Sequence, residues 1–285
     1  MDIDQARTFL AIAAHGSFLE GAKRLHVTQS TVSARIHNLE ADLGAKLFVR
    51  NRAGASLTPA GRRFLQHAKT LVLTVEQARH DVGLPSRYRA TIRVGGRIAL
   101  WDGFLPRWVG WMRRTAPDVS IASEIGFEED LMRRLIEGTL DIGLMYTPSH
   151  APGLVVEHLF DEILVLVSAQ RDAQWPNEDY IYVDWGPGFY AKHRESYPDL
   201  ERPPQVVNIG WLGVQLILAN GGSCFLPLRM ARPLLESRRL FKVSEGPEFP
   251  HAAYMVFPRE AHTEVLRQAV EGLRELAREQ QAEPQ

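Results

Sequence analysis

Thr28-Gln29-Ser30-Thr31-Val32-Ser33-Ala34-Arg35-Ile36-His37-Asn38-Leu39-Glu40-Ala41-Asp42-Leu43-Gly44 is the stretch on which the fold of this chain turns. Val32, Ile36, Leu39 and Leu43 recur at steps of three and four, the period of one apolar helix face. Thr28 supplies the hydroxyl that caps such a helix, and Gly44 supplies its stop. The opposite face carries Thr28, Gln29, Ser30, Thr31, Ser33 and Arg35, with no acid before Glu40. Small hydroxyls, an amide and a guanidinium are the groups that pair with base edges in a major groove. A helix N-terminus also attracts phosphate.

Upstream, Ile3 to Ala14 reads as a helix capped by Asp2 and broken by Gly16. Ser17-Phe18-Leu19-Glu20 has the spacing of a capping box and opens a short helix to Arg24. His26-Val27 is a tight turn before the third helix. Downstream, Lys46–Arg50 and Ala55–Leu57 read as a small β-ribbon with Arg50 and Arg52 near its tip, placed to meet phosphates or a minor groove. Residues 1–58 therefore read as a winged helix-turn-helix, an α+β head. Thr58-Pro59 then opens a long helix over 59–84. Along it Phe64, Ala68, Leu71, Val75, Ala78 and Val82 alternate steps of four and three, a dimerisation seam between two helices. An amphipathic helix packed on its own domain has the same pattern. Pro85 ends the helix, and 85–90 reads as a hinge.

From 91 to 285 the pattern is α/β. Strands are expected near 92–95, 119–125, 141–145, 180–184, 205–209 and 223–226, with one or two more within 154–168. Helices are expected near 105–115, 128–137, 211–219 and 263–278. The alternation predicts a mostly parallel sheet with helices on both faces. Trp185-Gly186-Pro187-Gly188-Phe189 reads as a loop after a strand, where pockets of such sheets tend to lie. Of the many aromatics here, Trp101, Trp108, Trp111, Trp185, Phe189, Tyr190 and Trp211 serve either packing or an apolar ligand.

Residues 1–90 hold 13 Lys and Arg against 7 Asp and Glu, and the remainder 20 against 27, so a head of net +6 sits on a body of net −7. That asymmetry suits a polyanion partner for the head alone. No apolar run is long enough for a membrane span, and the acidic start is wrong for a signal peptide, which makes the cytoplasm the expected location. Cys224 is the single cysteine of 285 residues. It matches no nucleophile motif, and the ten histidines form no metal-ligand pair. No catalytic residue, metal site or cofactor is expected. An enzyme and a solute-binding transport protein are the rival readings, and the second leaves residues 1–90 without a use.

The run Phe9…Ala13…Gly16-Ser17-Phe18…Ala22…Leu25, Thr28-Gln29-Ser30…Val32-Ser33…Ile36…Leu39-Glu40…Leu43-Gly44…Leu47-Phe48…Arg50 and Leu57-Thr58…Ala60-Gly61 resembles the signature of LysR-type transcriptional regulators. The resemblance implies promoter DNA as a partner, a homodimer formed through the long helix, dimers of dimers, and RNA polymerase as a further partner. It implies a periplasmic-binding-protein-like body of two α/β subdomains joined by crossing strands. Here those fall at about 91–165 with 263–285, and about 166–262. A small-molecule effector between them, of unknown identity, would meet Arg97, Ile98, Ala99, Phe127, Tyr146 and Gly221, with Trp185 added by its place after a strand; the alternative is an occluded cleft with no effector. Many relatives place Ser or Thr after the first strand of the body; this chain has Arg97-Ile98-Ala99. Arg97 is either an anion site or an ordinary ion-paired arginine.

Overall fold

The computed structural model describes residues 1–51, 54–198, 200, 203–243, 246–259 and 263–282. Contacts divide the chain into a head, Met1–Pro85 with Glu137–Thr139 grouped with it, and a body that holds the rest from Ser86 onward.

The head opens with α1 (Ile3–His15), where Asp2 and Gln5 form a reciprocal capping box and Gly16, at φ 64°, ends the helix in the left-handed region. In α2 (Phe18–Arg24) the Ser17 hydroxyl accepts from the Glu20 N–H, but the Glu20 carboxylate binds Lys23 at 2.7 Å. Only half of the expected box forms, because a cation one turn ahead on the same face outcompetes the backbone amide. α3 (Gln29–Leu43) is capped by Thr28 and ended by Gly44, as its residues require. Val32, Ile36 and Leu39 are buried, whereas Leu43 is 41% exposed. The last turn buries Glu40 in place of Leu43. Its carboxylate accepts from the Leu47 and Phe48 N–H groups at 2.8 and 3.4 Å and from Lys46 at 2.7 Å, fastening the wing to the helix.

The wing pairs β1 (Phe48–Asn51) with β2 (Gly54–Leu57), antiparallel. Gly54, at φ 132°, lies so close to the Gly16 carbonyl that a Cβ would meet it at 2.4 Å. α4 (Pro59–Val82) follows; its 24 residues make a rod of about 36 Å. Phe9 is the centre of the head core, with ring centroids 5.1 Å from Phe48 and 5.0 Å from Phe64. Each such ring contributes about 1.5–3 kcal/mol by leaving water.

The body runs β3 (Ala90–Gly96), α5 (Ile98–Trp101), α6 (Phe104–Thr115), β4 (Val119–Ile125), α7 (Glu128–Ile136), β5 (Ile142–Met145) and β6 (Leu154–Ser168). It continues with β7 (Ile181–Val183), α8 (Pro187–Ser196), β8 (Gln205–Val207), α9 (Gly210–Asn220) and β9 (Ser223–Pro227). Last come α10 (Leu228–Glu236), β10 (Phe241–Lys242), β11 (Phe249–Pro258) and α11 (Glu264–Ala282). β3 is parallel to β4 and β5, and β7 to β8. The long strands β6 and β11 pair with each other, and with β5, β9 and β10, antiparallel. The seven-stranded sheet is thus mixed, not mostly parallel, because two returning strands run through its middle.

Those two strands link the two expected subdomains. Tyr254–Val256 pair with β5 in the first subdomain, while Phe249–Ala253 pair with Phe160–Leu164. The register shifts between Ala253 and Tyr254, inside a strand that was not among the elements expected from the sequence. The expected loop at Trp185–Phe189 is also corrected. Gly186 caps α8 and Pro187 takes its first turn, where the missing N–H costs nothing. One buried cluster, with Trp108, Leu144, Phe160, Phe225 and Leu273 in it, runs through both subdomains.

Candidate nucleic-acid interface and ligand cleft

The N-terminal turn of α3 presents Thr28, Gln29 and Ser30 to solvent, with Thr31 and Ser33 half-buried beside them. The Thr28 hydroxyl lies 2.8 Å from that of Ser30 and 2.9 Å from that of Thr31, and accepts from the Thr31 N–H at 3.2 Å. Capping thereby pre-orients three hydroxyls at the positive end of the helix dipole. Gln29 stands clear of that cluster.

Arg35 does not join this surface. Its guanidinium donates to the Asp4 carboxylate at 2.8 Å and to the Thr8 hydroxyl at 3.4 Å. Asp4 also faces Arg7 at 3.8 Å, and Arg7 binds Glu76. A chain of charges thus ties α3 through α1 to α4. Asp4 sits 31 residues before Arg35 in sequence, so no local signal marks the pair. Arg50 is paired with Ala55 across the ribbon; its side chain, and Arg52 entirely, lie outside the described residues.

Along α4, Phe64 and Ala68 are buried in the head's own core. Leu71 and Ala78 are exposed, Val75 is half-buried, and Val82 is 88% exposed. The six expected seam positions therefore divide. The first two pack on their own domain, where Phe64 meets the Phe9 ring of α1; the last four are half-buried or exposed.

In the body, a cavity of about 210 Å³ is lined by Arg97, Phe127, Glu128, Tyr146, Thr147, Asp184, Trp185, Gly186 and Asn208. These residues follow β3, β4, β5, β7 and β8 in turn. The cavity thus lies at the carboxyl ends of two sets of parallel strands, where ligand crevices form in α/β sheets. Four expected positions, Arg97, Phe127, Tyr146 and Trp185, meet here.

Ile98, Ala99 and Gly221 do not line it. Ile98 and Ala99 turn into α5, and Ala99 is buried, its carbonyl accepting from Arg229 at 2.8 Å. Gly221 precedes β9, which runs parallel to the β7 side through the Tyr180–Ser223 bridge. It therefore lies at the amino end of its strand, away from the crevice. Of the aromatics weighed for a ligand role, only Trp185 contributes among the cavity-lining residues. The Trp108 indole N–H is spent on the Ala269 carbonyl at 2.9 Å and that of Trp101 on Glu124 at 2.8 Å.

Arg97 is only 9% exposed. Its Nε stands 3.4 Å from a Glu128 carboxylate oxygen yet has no hydrogen-bond partner, and its guanidinium lies 4.5 Å from the Phe127 ring centroid. Beneath, the Tyr146 hydroxyl donates to Glu162 at 2.6 Å, and Glu162 accepts from Arg229 at 2.8 Å. Burial and the Glu162 charge push the Tyr146 hydroxyl well above its ordinary range, so it stays protonated. His251 stacks on Tyr146 with ring centroids 4.1 Å apart. Burial, with the positive charges of Arg97 and Lys192, holds it down to about 4, so it is neutral. Glu162, Arg229 and His251 escaped the sequence reading. They come from β6, α10 and β11, and only the crossing strands bring them together.

Cys224 is buried and burial pushes its thiol up, which disfavours the thiolate. Among the described residues no group of His, Cys, Asp and Glu is placed to hold a metal ion, and no helix is long and apolar enough to cross a membrane.

Residues 3–62 match the family model described as bacterial regulatory helix-turn-helix protein, lysR family, and residues 86–281 match the LysR substrate binding domain. The chain is 29% identical over 239 residues to the HTH-type transcriptional regulator HdfR of Yersinia enterocolitica, covering 80% of this chain and 81% of that one. Its fold is similar to that of full-length CbnR in a crystal structure with its target DNA, at 20% identity and a TM-score of 0.72, covering 97% of this chain and 100% of that chain. Vibrio fischeri DarR, solved in complex with DNA, is similar at 19% identity and a TM-score of 0.61, over 97% of this chain and 99% of that chain.

Proposed function

The chain belongs to the LysR family of DNA-binding transcriptional regulators, and from that premise we propose that it reads promoter DNA with the first turn of α3 and is switched by a small molecule held in the body's cleft. The observation that carries this reading is the exposed set Thr28, Gln29 and Ser30, flanked by Thr31 and Ser33, above a sealed core. Gln29 reads a base edge, the hydroxyls meet bases or phosphates, and Arg50 and Arg52 on the wing meet the neighbouring phosphates. Two copies pair through Leu71, Val75, Ala78 and Val82, and such dimers associate in pairs on DNA. The chain acts by binding and not by catalysis; the buried thiol of Cys224 supports this.

A mobility-shift assay on duplex DNA from the upstream intergenic region tests the reading. Gln29→Ala costs about 1–3 kcal/mol of discrimination between the operator and an altered one, while non-specific binding persists. Affinity falls steeply with salt, since phosphate contacts release counterions. Protein indifferent to duplex DNA at low ionic strength refutes it.

A further inference from the structure

We propose that the cleft's ligand is a small zwitterion of the α-amino-acid type, its carboxylate on Arg97 and its ammonium group facing Glu128 and Asp184. The inference rests on the reading of the cleft as the ligand site, and adds the chemical class of the occupant.

Size limits the occupant first. Pockets for drug-sized molecules run to about 300–1,000 Å³, and this cavity has about 210 Å³. A metabolite of few heavy atoms fits.

Charge limits it further. Among the lining residues there is one guanidinium, Arg97, and two carboxylates, Glu128 and Asp184. Arg97 is underused. Its Nε has no hydrogen-bond partner, its Glu128 contact at 3.4 Å is longer than the roughly 2.7–2.9 Å of a charge-assisted bond, and its bond to the Asn208 carbonyl is also 3.4 Å. The Phe127 ring lies against the guanidinium at 4.5 Å. The planar edge of a guanidinium matches a carboxylate in bidentate fashion.

A ligand carboxylate on Arg97 takes away the counter-ion of Glu128, whose side chain is only 25% exposed. Stripping a partly buried carboxylate is costly. A simple carboxylic acid leaves that cost standing, and a dicarboxylate adds a third negative charge. An ammonium group on the same small skeleton removes the cost by taking over Glu128, with Asp184 as a second partner. Asp184 is exposed, and one of its oxygens accepts from the Gly186 N–H at 2.9 Å. A simple amine, in turn, leaves Arg97 in its present loose pairing. A molecule with both charges meets both sides.

The experiment uses the full chain. The standard L-amino acids are offered one at a time, binding is read by thermal shift, and the best is measured by calorimetry. Its deaminated acid and its decarboxylated amine follow. The expected result is stabilisation by an amino acid, with both single-charge analogues at least about tenfold weaker. Arg97→Gln and Asp184→Asn each weaken the amino acid by a similar factor. Asp184 is exposed, so its variant keeps the test readable if Arg97→Gln misfolds. If the deaminated acid binds as tightly as the amino acid, the cleft is an anion site and the zwitterion class falls. If no amino acid shifts the melting temperature, that class also falls. If one binds but neither substitution weakens it, the cleft itself is the wrong place. Operator recognition is measured separately on DNA, so its failure is distinguishable from all three.

Discussion

Gln29 and Arg35 share a helix and both belong to residue types that read bases, yet their surroundings separate them. Gln29 is exposed at the first turn, while Arg35 is held by Asp4 and Thr8. The side chains of Arg35 and Asp4 are partly exposed, and such pairs contribute about 0–1 kcal/mol. Arg35→Ala is therefore expected to leave base preference intact and to lower head stability only slightly, whereas Gln29→Ala changes preference. Selection of operators from a randomised duplex pool checks this; loss of base preference in the Arg35 variant would show that DNA displaces Asp4. At this scale the sequence made residue types and helix faces legible. It did not reveal that Asp4 competes for Arg35 or that Glu40 replaces Leu43 in the core, because each depends on a partner that only folding brings near.

For single elements, periodicity carried the reading until two environments shared one helix. The heptad of α4 runs unbroken from Phe64 to Val82, but its first part is spent on α1 and the head core. Leu71→Asp is expected to yield monomers in sedimentation with a folded head, since that side chain is exposed. Phe64→Ala is expected instead to destabilise the head by about 3–5 kcal/mol, leaving a cavity beside Phe9. A Leu71→Asp dimer as tight as the unaltered one would remove α4 as the seam. In the body, β3 to β5 were legible from their apolar runs. β11 was not: Phe249-Pro250-His251 opens it with a proline and a histidine, poor strand signals that its place between β5 and β6 overrides.

For the molecule as a whole, the body carries a pH dependence written into two buried histidines. Burial, aided by nearby positive charge, holds His193 and His251 down to about 4 against an ordinary value of 6.5. Between those values the unfolded chain binds more protons than the folded one. The stability that these two histidines contribute is therefore full above about 6.5 and is lost as pH falls towards 4. Urea unfolding followed by tryptophan fluorescence reads the body alone, since all six tryptophans lie beyond residue 100. His251→Phe, which keeps the ring against Tyr146 and Trp185, is expected to flatten the slope; an unchanged slope would show that His251 does not contribute to it. The order of elements in the head, the capped reading helix, the basic head and the α/β body are all local or additive properties, so the amino-acid sequence alone determined them. The mixed order of the sheet, the division of α4 and the membership of the cleft depend on contacts between residues far apart in the chain. Those were decided when β6 and β11 crossed the body and drew the carboxyl ends of two strand sets around one small cavity.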